Sequence, residues 1–120
     1  MSPIKSFTDL EVYKLSHDFA MRIYKISFIF PPEEKYALTD QIRRSSRSIS
    51  ANIAEGWGKR SYKKLFKRHL IDAMGSLEET MEWILYSFDC EYIEVESKNS
   101  LLCKYHEIGA KLYKLNENWN

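Results

Sequence analysis

The sequence predicts an all-α protein: an antiparallel up-and-down four-helix bundle that assembles as a homo-oligomer. Three observations predict it. The chain is 44% hydrophobic yet holds only 4 Gly and 3 Pro in 120 residues, too little turn chemistry for a strand-rich fold. Four segments, about 8–29, 33–56, 61–89 and 96–116, repeat apolar residues at steps of three and four with short breaks between them. The first segment adds a second apolar stripe, more surface than one intramolecular groove covers, which calls for another subunit. Residues 1–120 are long enough for one domain with a real core and too short for two.

Helix one begins where Phe7 leads into Thr8-Asp9-Leu10-Glu11, a capping-box pattern in which the Thr8 hydroxyl accepts from the Glu11 amide. Val12, Ser16, Phe19, Ile23, Ile26 and Phe30 then form the seam that faces the bundle. The second stripe is Tyr13, His17, Ala20, Tyr24 and Ser27 beside Phe28, with His17 read as an interface or edge histidine, not a ligand.

Phe30-Pro31-Pro32-Glu33-Glu34 stops this helix and starts the next, with proline in the first turn and acids at the positive end of the helix dipole. Leu38, Ile42, Ile49 and Ile53 make its buried stripe, which Ser45, Asn52 and Gly56 share. Small and polar groups in an apolar stripe predict a close helix neighbour and a polar layer that fixes register. The glycines of Gly56-Trp57-Gly58 end the helix.

Ser61 is the expected N-cap of helix three, whose stripe is Tyr62, Phe66, Leu70, Ala73, Leu77, Met81, Ile84 and Phe88. Gly75 interrupts it at a cost of about 1 kcal/mol in helix propensity, which predicts close packing opposite Asn52. The polar layer therefore comprises Asn52, Glu55, Gly56, Gly75, Ser76 and Glu79. An acidic connection, Asp89 to Glu96, leads to helix four, with Leu101, Tyr105, Ile108, Leu112 and Leu115 as its seam and a frayed tail from Asn116 to Asn120.

Charge supplies the functional lead. Residues 43–68 hold nine basic side chains, Arg43, Arg44, Arg47, Lys59, Arg60, Lys63, Lys64, Lys67 and Arg68, against one acid, Glu55, while the whole chain carries only +1. A near-neutral chain that concentrates its cations on one segment attracts a polyanion there, so those nine are the expected contacts to nucleic acid, RNA before DNA. Trp57 and Tyr62 flank the cluster and are placed to stack on unpaired bases; the competing reading puts Tyr62 in the core and Trp57 over a helix end. The alternative for the whole segment is a scaffold surface that docks an acidic protein partner.

The motifs that carry catalysis are missing. None of His17, His69 and His106 has a glutamate three residues before it, as a carboxylate-bridged metal site in a bundle needs. There is no phosphate-cradling glycine loop, dinucleotide fingerprint, nucleophile elbow or HExxH pair. Cys90 and Cys103 stand alone, as packing residues of a reducing compartment. No run of about 18 uncharged apolar residues appears, and the opening MSPIKSFTDLEVY lacks the apolar core of a secretory signal. The expectation is a cytoplasmic, non-enzymatic protein with no metal, no cofactor and no membrane contact.

The run FPPEEKYALTDQIRRSSRSISANIAEGWGKRS, followed by AMGSLEE at Ala73 to Glu79 and preceded by Phe7, Leu10 and Tyr13, resembles the small four-helix-bundle family encoded within intervening sequences of bacterial 23S ribosomal RNA genes. That resemblance implies a bacterial protein, a closed homopentamer of four-helix subunits and a role in nucleic-acid binding. The chain is also similar to the accessory protein of diversity-generating retroelements, a basic pentamer that binds a reverse transcriptase and nucleic acid, so a reverse-transcriptase-like partner is implied for the scaffold alternative. Ser46 and Arg47 depart from the small or apolar residues usual there, and Ala37 replaces a usual glycine.

Overall fold

A computed structural model describes residues 3–119. Four α-helices, α1 (Glu11–Ile26), α2 (Leu38–Gly58), α3 (Lys63–Asp89) and α4 (Val95–Asn118), with three single-turn 3-10 helices, make up the regular structure among the described residues. Successive helices run antiparallel, and α1 with α2, α2 with α3, α3 with α4 and α4 with α1 pack side by side into a closed bundle 44 Å long.

The three-and-four periodicity puts most of the predicted seam inside; Tyr62 is exposed instead, and Ala20 and Ser27, expected on the outward stripe of helix one, are buried. Ile42, Ile49 and Ile53 of α2 meet Phe66, Leu70, Ala73 and Ile84 of α3 and Leu101, Ile108 and Leu112 of α4, all buried. Tyr105 is buried among them, edge-on to Phe19, its hydroxyl without a hydrogen-bond partner; burial raises its pKa above the usual tyrosine range.

Two layers of aromatic residues close the ends. At one, Phe30 packs on Tyr92, whose hydroxyl donates to Glu34 Oε2 at 2.8 Å, while the Leu38 amide donates to Glu34 Oε1 at 3.3 Å. Glu34 thereby ties the start of α2 to the α3–α4 turn, and its carboxylate pushes the Tyr92 hydroxyl up to about 12. At the other end Trp57 packs edge-on to Phe66 and Trp119, joining α2, α3 and the end of α4.

Helix boundaries differ from the expected ones where local chemistry decides them. The capping box exists, but Ser6 is its cap and Asp9 its acid, so it opens a 3-10 turn over Phe7–Asp9 and α1 starts only at Glu11. Pro31 and Pro32 hold the chain in a 3-10 turn at Pro32–Glu34, and α2 starts at Leu38, not near residue 33. Ser61 makes no cap bond; α3 starts at Lys63 behind Tyr62. α2 runs two residues past Gly56, and no glycine has positive φ, so glycine does not end this helix by a left-handed turn. Helix four extends to Asn118, which leaves of the expected frayed tail only Trp119, packed on Trp57, and Asn120, which lies outside the described residues.

Candidate nucleic-acid interface

Antiparallel packing of α2 on α3 sets the geography of the basic segment. Across their contact Thr80 Oγ1 lies 2.8 Å from Ser45 Oγ, and the Ser76 hydroxyl donates to Ser48 Oγ at 2.9 Å. Asn52 Oδ1 stands 3.2 Å from His69 Nδ1. At Gly56 an added Cβ would meet His69 Cβ at 2.7 Å and Phe66 Cδ1 at 3.2 Å, so only glycine lets the helices come this close. This ladder of small and polar residues is the polar layer. Asn52, Gly56 and Ser76 belong to it, and exposed Glu55 flanks it through His69.

Gly75 and Glu79 lie outside the ladder. Gly75 faces solvent, with nothing within 4 Å of where a Cβ would stand, and Glu79 is exposed, accepting from Trp83 Nε1 at 3.0 Å. Each stands two residues from seam positions on either side (Ala73 and Leu77, Leu77 and Met81), which on a helix is the opposite face. Ser48, His69 and Thr80 take their places. The sequence signal for His69 was its spacing from Phe66 and Ala73, at three and four residues, beside the small Gly56 of α2.

The register also divides the nine cations. Because Ser45 is level with Thr80 and Asn52 with His69, the centre of the Arg43–Arg47 group lies about 20 Å along the bundle from that of Lys63–Arg68 at 1.5 Å per residue. The first group is largely taken up by α1. Arg43 Nε donates to Ser27 Oγ at 2.7 Å, and its guanidinium lies 4.8 Å from the Tyr24 ring and 4.9 Å from that of Phe28. Arg47 lies 5.4 Å from Tyr24, so the stripe expected to face another subunit is partly covered by the chain's own arginines, with Phe28 left exposed. Arg44 points outward with no partner among the described residues.

At the α2–α3 hairpin end, Lys63, Lys64 and Arg68 are exposed and Lys67 is half-buried, and their side chains have no acidic or aromatic partner among the described residues. Lys59 donates to Glu55 Oε2 at 3.1 Å and lies 3.1 Å from His69 Nε2; that bond to Lys59, with its charge, holds the Glu55 carboxyl below the usual range. Arg60 donates to the Trp57 carbonyl at 2.9 Å and covers the Trp57 ring at 4.3 Å. Trp57, 8% exposed, is therefore a core residue and offers no stacking face, whereas Tyr62 is 68% exposed beside the lysines and is not in the core. Apart from Asp72, the acids of α3, from Glu78 to Asp89, lie toward the far end, so the helix carries opposite net charge on its two halves.

Among the described residues no group of three or more His, Cys, Asp or Glu side chains is placed to hold a metal ion, and no helix is long and apolar enough to cross a membrane. Cys90 and Cys103 are free and exposed, so they do not pack in the core.

Fold and surface define a small helical-bundle protein whose exposed cations gather at one hairpin. The chain belongs to the 23S rRNA-intervening sequence protein family, whose profile matches residues 8–114. It is similar to a solved crystal structure of a protein with unknown function from the S23 ribosomal protein family of Bacteroides thetaiotaomicron, with a TM-score of 0.80 at 30% identity. That likeness covers 89% of this chain and 99% of the other. A search of curated proteins returns no match.

Proposed function

We propose that this protein is a non-catalytic, cytoplasmic nucleic-acid-binding module that holds a phosphate backbone on its α2–α3 hairpin end and acts as a homo-oligomer. The observation that carries the reading is the set Lys63, Lys64, Lys67 and Arg68, four cations within two helical turns whose side chains have no acidic or aromatic partner among the described residues. Tyr62 offers it a stacking face, Lys59 and Arg60 border it, and Arg44 is an outlying cation farther along the bundle. Such cations neutralise phosphates without reading sequence, and oligomerisation would repeat the patch and raise its avidity. RNA is put before DNA because the matching family is the 23S rRNA-intervening sequence protein family, whose sequence element lies within a ribosomal RNA.

The test is binding to a structured RNA and to a length-matched duplex DNA at rising salt. About four phosphate contacts give a log–log salt slope near −3.6 on the duplex and near −3 on unpaired strands. Lys63→Glu with Lys64→Glu abolishes binding at unchanged particle size. No binding by the wild-type chain at low salt would overturn the reading and turn the same surface into a docking face for an acidic protein.

A further inference from the structure

We propose that His69 is a proton-responsive positioning residue of the hairpin end: when neutral it restrains Lys59, and when protonated it releases Lys59 toward a bound polyanion. The inference deepens the nucleic-acid reading above and rests on it.

The hydrogen-bond chain fixes where the protons are. The Ser48 carbonyl only accepts, so the Asn52 amide presents Nδ2 to it at 2.9 Å and turns Oδ1 to the imidazole. Oδ1 also only accepts, so His69 Nδ1 carries the hydrogen across 3.2 Å. The neutral ring then has its lone pair at Nε2, and the Lys59 ammonium donates to it at 3.1 Å. Gly56 is what admits this arrangement, since a Cβ there would push on His69 Cβ from 2.7 Å.

A proton added at Nε2 removes the acceptor that Lys59 uses and puts a second positive charge beside the ammonium. Glu55 Oε2 lies 3.7 Å from Nε2 and 3.1 Å from Lys59 Nζ, so the carboxylate is placed to turn from the lysine to the imidazolium. Among the described residues the ionisable partners of the ring are Glu55 and Lys59, both from α2. Arg68 precedes the ring on α3 and exposed Asp72 follows it by about a turn; α1 and α4 bring it no charged partner. The hairpin end gains one charge and one mobile ammonium on that protonation, and its pull on phosphates rises as pH falls.

The test follows affinity of the full-length protein for a fluorescent oligo(U) strand between about pH 8 and about pH 5.5 at constant ionic strength. Wild type tightens roughly threefold to tenfold on acidification, the scale of about one added phosphate contact, and its salt slope steepens. The variant His17→Gln/His106→Gln, which removes the two exposed histidines, keeps that profile, and His69→Gln flattens it. A His69→Gln profile like that of wild type, or a flat wild-type profile with binding intact, overturns the inference and leaves the nucleic-acid reading standing. Absence of wild-type binding at every pH overturns both. If His69→Gln loses its helical circular dichroism, Lys59→Met replaces it: a shallower profile supports the release of Lys59, and an unchanged one overturns it.

Discussion

Arg43 and Arg47 belong to the same basic run of sequence as Lys63, Lys64, Lys67 and Arg68, yet the fold treats the two groups differently. The arginines of α2 lie across Tyr24 and Phe28 of α1 and fasten one helix to the next. The lysines of α3 sit at a hairpin end where, among the described residues, no carboxylate or aromatic ring pairs with them. Charge in a sequence becomes charge available to a ligand only where the fold leaves it unpartnered. A guanidinium stacked on aromatic faces and bonded through Nε contributes chiefly to stability, and an unpaired surface lysine contributes almost nothing to stability and most to association.

Charge reversal should separate the groups most sharply. Lys63→Glu/Lys64→Glu should weaken oligo(U) binding by about 100-fold or more at low salt with unchanged helicity, measured by fluorescence anisotropy. Arg43→Ala/Arg47→Ala should change it by less than about threefold in the same assay. Comparable losses in the two variants would erase the distinction. In urea denaturation the order reverses: Arg43→Ala should lower stability by about 1–2 kcal/mol through its lost stacking and its bond to Ser27, and Lys63→Ala should stay within about 0.5 kcal/mol of wild type.

Smaller effects refine the picture. Tyr62→Ala should weaken single-strand binding by about 1 kcal/mol and leave duplex binding nearly unchanged, since only unpaired bases stack on it. The glycines make a parallel comparison along the α2–α3 contact. Gly56→Ala should destabilise by roughly 1 kcal/mol despite the better helix former, because its Cβ meets His69 Cβ. Gly75→Ala, with open space around the new methyl, should stabilise by about 0.5–1 kcal/mol. A thermal melt that ranked these two the other way would place the close helix approach at Gly75.

The bundle and its seams were legible because burial imposes a period on the sequence, and residues such as Ile42, Ile49, Phe66, Leu70 and Tyr105 keep that period. The same rule, applied strictly, puts Gly75 and Glu79 on the solvent face; the helix-propensity cost of Gly75 suggested a close contact there instead. Cross-helix pairs were not legible, because they depend on the register of α2 against α3. Asn52 was recognisable as a polar residue on the apolar stripe, but that its partner is His69, seventeen residues on, follows only from the packed helices. Helix starts were obscured by competing local bonds: Ser6 caps in place of Thr8, and two prolines delay α2 by one 3-10 turn. The nine cations were visible as a count, whereas the aromatic contacts that take up Arg43, Arg47 and Arg60 required α1 and Trp57 to be in place.

The salt slope of oligo(U) binding tests the division of the basic segment most directly, because it counts neutralised phosphates and not total affinity. Lys63→Ala/Lys64→Ala should flatten the slope by about 1.4, near 0.7 for each lost contact, while Arg43→Ala/Arg47→Ala should leave it unchanged. Equal flattening in both variants, or a slope that only the arginine pair alters, would contradict the account.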